Sequence, residues 1–70
     1  MTNDLNLALE YHRRGWLDQA AHLYQHVLAA RPDHADALHL LGVVAHQRGE
    51  FAHAAECIGA AIVRNPRLMS

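Results

Sequence analysis

Apolar positions along the chain recur every three or four residues. Leu5, Leu9 and His12 form one stripe, and Leu7, Ala8 and Tyr11 form a second. Ala20, Leu23, Tyr24, Val27 and Leu28 follow at the same spacing. That period collects side chains on one face of an α-helix, whereas a half-buried strand would alternate strictly. Polar and glycine punctuation divides the chain into four such segments. Thr2-Asn3-Asp4 suits a cap for the first, with Asp4 near the positive end of the helix dipole, and Gly15 ends it. Trp16 or Asp18 begins a second helix in Ala-rich sequence. It stops around Pro32, because the residue before a proline is driven out of the helical region. Asp33-His34-Ala35-Asp36 opens a third helix and Gly49 ends it; Glu50 or Phe51 begins a fourth, closed by Asn65-Pro66.

The punctuation occurs twice at a fixed interval. The separation of Pro32 from Pro66 equals that of Gly15 from Gly49. The same shift superposes Leu7 on Leu41, Ala8 on Gly42, Leu17 on Phe51, Ala20 on Ala54, Tyr24 on Ile58, Val27 on Ala61 and Leu28 on Ile62. Small falls on small and apolar on apolar, so turn and buried face repeat together, the mark of a repeat architecture. The expectation is an all-α domain over residues 1–70, built of two helix-turn-helix units at 1–34 and 35–68, with four antiparallel helices. Ala8, Ala20, Gly42, Ala45, Ala54 and Ala61 are expected to let helix backbones approach closely. Tyr11, Tyr24, Leu28, Ile58 and Ile62 are expected to fill the wider gaps.

Leu7-Ala8, Tyr11, Gly15, Leu17, Ala20, Tyr24 and Pro32 stand at the phases of a known signature, as do Leu41-Gly42, Gly49, Phe51, Ala54, Ala61 and Pro66. Over almost its whole length the chain resembles the tetratricopeptide repeat (TPR) family. Leu38 and Ala45 replace the usual Trp and Tyr of the second unit, and Asp4 stands at the Trp phase of the first. The resemblance implies an α-α superhelix without catalytic activity, in which the first helix of each unit lines a concave groove for a peptide or partner segment. By phase that groove takes Leu5, Leu9, His12 and Arg13 from the first unit and Asp36, His39, Val43, His46 and Gln47 from the second. Such a mixture suits an amphipathic helix or an extended peptide carrying a carboxylate. The Lys and Asn clamp of chaperone-binding members is replaced by Leu5, Leu9 and Leu40, and the Asn ladder of O-GlcNAc transferases is matched only by Asn6. The run from Ala37 to Gly49 is similar to leading repeats of bacterial proteins that carry TPRs ahead of a transferase domain. On that alternative the chain positions protein substrate for a larger glycosyl- or other transferase.

Composition narrows the field further. A 70-residue chain buries only about 60% of its unfolded surface, which leaves little room for a deep catalytic pocket. One cysteine, Cys57, makes no internal disulfide. Six Arg and no Lys against seven acidic residues leave a net charge of -1, without the basic field that nucleic-acid binding relies on. No apolar run approaches the ~20 residues that span a bilayer, and Met1-Thr2-Asn3-Asp4-Leu5 lacks the basic opening of a signal peptide. A cytoplasmic module is therefore expected, with protein or peptide partners, no cofactor, no nucleic acid and no membrane. Two units fall short of the roughly three that a solenoid normally requires. The outer side of the fourth helix, with Ile58, Ile62 and Val63, then awaits cover by a second copy or by the continuation of a longer chain.

Seven histidines are the compositional oddity. His22 and His26 stand four apart, a spacing that lets two imidazoles share a metal, though no third ligand lies nearby in sequence. His12, His39 and His46 form a second grouping along the groove stripe. Each grouping reads either as solvated surface or as a metal site or proton switch. Cys57 follows His53 by one turn; a charged imidazole there would lower the thiol pKa, while the alternative is a small packing residue. Trp16 is either an interface anchor or folded back over Leu17 and its own hairpin. Arg13-Arg14, Arg64 and Arg67 fall toward helix C-termini, where they complement the dipole. The expected partner-binding set is Leu5, Leu9, His12, Arg13, Trp16, His39, Val43, His46, Ile58 and Ile62, with no residue assigned to catalysis, cofactor or metal.

Overall fold

The computed structural model describes residues 4–65, and the Thr2-Asn3 part of the first cap and everything from Pro66 onward lie outside them. Four helices follow in order: α1 Asp4–Arg13, α2 Leu17–Ala30, α3 Ala35–Gln47 and α4 Phe51–Arg64. Each packs on its neighbour in the chain, α1 on α2, α2 on α3 and α3 on α4. Two antiparallel hairpins thus stack side by side.

The hairpin turns have one design, used twice. Gly15 at φ +81° and Gly49 at φ +82° adopt the left-handed region that only glycine enters without strain. The Gly15 N–H donates to the His12 carbonyl at 3.0 Å, and the Gly49 N–H to that of His46 at 3.0 Å. The next residues reach one residue further back: the Trp16 N–H donates to Tyr11 at 2.9 Å and the Glu50 N–H to Ala45 at 2.8 Å. This is the Schellman arrangement, which satisfies carbonyls that a helix end otherwise leaves bare. α2 starts at Leu17, between the two starts considered from sequence. α3 is capped by His34, whose Nδ1 accepts the Ala37 N–H at 3.2 Å.

One core runs through both hairpins: Ala8, Ala20, Ala21, Tyr24, Leu41, Val44 and Cys57. All six small residues expected at close approaches are buried. Gly42 shows why size matters, since a Cβ there would lie 2.6 Å from Ile58 Cγ1 and 3.2 Å from the Ala54 carbonyl oxygen. Among the expected gap fillers, Tyr24 is fully buried and Tyr11, Leu28 and Ile58 are half-buried. Ile62 departs from that expectation: it is 38% exposed, because it points to the side of α4 that α3 does not cover.

Candidate functional site

The α1 and α3 stripes separate into residues the fold has used and residues it leaves accessible. Leu5 packs against the core. His12 is held at two atoms: its Nε2–H donates to Gln47 Oε1 at 2.7 Å, and the Tyr24 hydroxyl donates to its Nδ1 at 3.3 Å. A carbonyl oxygen only accepts, so the Gln47 contact selects this tautomer. Burial raises the Tyr24 hydroxyl above its ordinary value of 10.0 and keeps the phenol a donor. His12 is therefore a link among α1, α2 and α3, no longer a free groove residue. Leu9, His39 and Val43 are half-buried, and Arg13 and His46 are exposed. Arg13 stands 4.0 Å from Glu10, which also accepts from Arg14 Nε at 3.2 Å. The His46 ring meets Phe51 edge-on, 5.0 Å between centroids.

The remaining candidates fall in separate places. The His26 Nδ1–H donates to Asp4 Oδ2 at 2.8 Å, a pairing of α2 with the start of α1 that the sequence spacing did not suggest. Among the described residues no three or more His, Cys, Asp or Glu gather as metal ligands. The Cys57 thiol is buried, and burial followed by the neighbouring Glu56 charge pushes its pKa up. That is opposite to the direction considered for a His53-activated thiol. Trp16 folds back over its own hairpin and onto Tyr11, with ring centroids 5.3 Å apart and the Arg14 guanidinium 5.5 Å from its ring. Its indole nevertheless stays 46% exposed, which leaves it partly available as an anchor.

Two shallow polar hollows also lie on the described surface. One, of about 260 Å³, lies among Arg31, Asp33, His34, Ala35, Asp36 and Asn65. The other, of about 290 Å³, lies among Asp18, Ala21, His22, Gln25 and Arg48. Arg48 spans the second unit's turn and α2, with Nε 3.3 Å from Asp18 and Nη2 3.1 Å from Glu50. Neither hollow was expected from sequence: the first joins the α2–α3 connection and the start of α3 to Asn65, the second joins α2 to Arg48, and no motif links those segments.

α4 differs from all of this. Its only charged or strongly polar side chains are His53, Glu56 and Arg64, and a helix apolar nearly all round normally belongs to an interior. Ala54, Cys57 and Ala61 face α3, yet Phe51 is 61%, Ile62 38% and Val63 75% exposed. Ile58 sits half-buried at the edge of this face.

Two helical hairpins with matching glycine turns at the same phase of each unit define an α-helical repeat protein. A family model described as Tetratricopeptide repeat matches residues 11–67, and the chain belongs to that family. At the family level this is a protein–protein interaction module of a generally non-catalytic kind. Comparison with curated proteins gave no match. Among the described residues no helix is long and apolar enough to cross a membrane.

Proposed function

We propose that the chain is a non-catalytic protein-binding module whose main docking surface is the open face of α4. The observation that carries this reading is the exposure of Phe51, Ile62 and Val63 on a helix with so few polar side chains. A wholly exposed side chain of this kind gains roughly 1.5–3 kcal/mol on full burial, and these three are already partly covered. What they have left to gain reaches only the bottom of the ~4–15 kcal/mol lost on association, so the neighbouring Ile58 and Ala55 must be covered too. The partner that fits is a helix with an apolar stripe, docking much as α3 seats Leu41 and Val44 against α2. The α1–α3 side, with Leu9, Arg13, His39, Val43 and His46, is a second and shallower contact surface, with Trp16 at its margin.

A synthetic peptide of residues 34–48, which carries the α3 stripe, serves as the probe. Titrated into the isotope-labelled chain, it should shift the amide resonances of Ala55, Gly59, Ile62 and Val63, and Val63→Glu should abolish the shifts. Shifts confined to α1 and α3 would relocate the docking surface to the groove; the absence of any shift at a dilution where the chain sediments as a monomer would remove the reading.

A further inference from the structure

We infer that the occupant of the α4 face is α4 of a second copy of this chain, the two helices crossing antiparallel at Gly59. This rests on the reading of α4 as a docking surface and adds the identity and geometry of its partner.

Glycine in a helix interior is destabilising relative to alanine, so its presence calls for a reason. Gly42 has one inside the chain, where a Cβ would collide with Ile58. Gly59 has none, for a Cβ built there meets nothing within 4 Å. The bare backbone at Gly59 thus matches the close approach made at Gly42, but with the approaching helix still to come. Ala55 lies one turn before it and Val63 one turn after, which clears a path with an apolar edge.

The position of that path separates a second copy from simple continuation of the stack. In α2, Ala21, Tyr24 and Leu28 pack into or against the core shared with Leu41 and Val44 of α3. Their counterparts in the second unit, Ala55, Ile58 and Ile62, form the sector that an in-register unit would cover. Gly59, Ala52 and Val63 lie in the next sector round the helix. Their counterparts in α2 are Gln25, Asp18 and Ala29, which stay exposed although α2 is stacked. Apart from Glu56, which lies at its edge between Ala52 and Gly59, α4 is therefore small and apolar where stacking leaves a helix in water. A helix laid directly over Gly59 covers both sectors.

A head-to-tail copy does not fit. It would set α1 on α4, and α1 carries exposed Asn6 and Glu10 where α3 carries Leu40 and Val44. Burying those polar groups against Ile58 and Ile62 is unfavourable. Pairing α4 with itself about a two-fold axis avoids this and gives a closed, self-complementary contact. An antiparallel crossing also brings Glu56 of one helix toward Arg64 near the far end of the other.

Sedimentation velocity of the full chain over a hundredfold concentration range tests the inference, beside Gly59→Ala, Gly59→Leu and Val63→Glu, with circular dichroism to confirm folding. The wild type should dimerise. Gly59→Ala should raise the dissociation constant at least tenfold while the dilute monomer melts no lower, because the added methyl has open space in the single chain and favours helix. Gly59→Leu and Val63→Glu should leave monomer throughout. A wild type that stays monomeric overturns the inference, while the peptide titration still decides on the α4 surface. A dimer broken by Val63→Glu but indifferent to Gly59→Leu overturns the crossing at Gly59 and leaves α4 as the docking face.

Discussion

At the crossing of α1 and α2 the small residue is Ala8 and the large one Tyr24; at the crossing of α3 and α4 their counterparts by phase are Gly42 and Ile58. Tyr24 has no exposed surface, and its hydroxyl is bound by His12. Ile58 is half-buried, and its Cγ1 fills the space a Cβ on residue 42 would need. The turns of the two hairpins nonetheless agree closely in φ and use the same backbone hydrogen bonds. Local hydrogen bonding repeats the backbone, while matched pairs of side-chain volume set the interior. What then distinguishes the halves is neighbours: α2 packs between α1 and α3, whereas α4 packs chiefly on α3.

The largest test of that contrast is truncation of the two gap fillers. Tyr24→Ala should destabilise by about 3–5 kcal/mol, enough to unfold much of so small a chain, as read by thermal circular dichroism. Ile58→Ala, starting from half burial, should cost only about 2 kcal/mol. Equal losses would mean that the second neighbour of α2 adds nothing. Next comes Gly42→Ala, where the methyl meets Ile58 and the Ala54 carbonyl and should be destabilising by roughly 1–3 kcal/mol through overpacking, measured by urea unfolding. Smaller again are Gly15→Ala and Gly49→Ala, each forced to positive φ at roughly 1–2 kcal/mol. These two should match, and a clear inequality would break the equivalence of the turns.

The smallest effect expected is alkaline. Cys57 and Tyr24 have pKa values raised above 9.0 and 10.0 respectively, mainly by burial. The folded chain thus holds these protons more tightly than the unfolded one, and the corresponding stability is present below the unfolded values. It should be lost as pH rises through the folded values, with Cys57 leading. Urea unfolding at pH 7.5, 9.5 and 10.5 should show the decline, and Cys57→Ala should remove its first part; a flat profile would contradict the burial of both groups.

Much of the fold was legible because its signals are local. A glycine turn requires positive φ, a proline halts the preceding helix, and small residues must meet at crossings, so a single repeat period carries turn, stop and core together. The site was less legible because its contacts join helices. His12 and Gln47 stand on the same groove stripe by phase, but their hydrogen bond is not foreseen from it, and Tyr24, 12 residues from His12, reads there as packing alone. Asp4 does stand in the first turn of α1, but its second use, as acceptor for His26 from α2, joins residues that no local spacing connects. Trp16 could be placed in the turn and folded onto its own hairpin, yet its seat on Tyr11 depends on how α1 and the turn meet. Gly59 passed as one helix residue among others, since its significance lies in the empty space above it.

The imidazole of His12 has a consequence for how the chain comes apart. Helical repeats coupled only to sequence neighbours can fray one hairpin at a time, but this contact has one member on each of α1, α2 and α3. Peeling off the second hairpin strips Gln47 from His12, and peeling off α1 takes from Tyr24 both its hydrogen-bond partner and the Ala8 side of its packing. Either loss weakens the hairpin left behind, so the two halves should melt as a single cooperative unit.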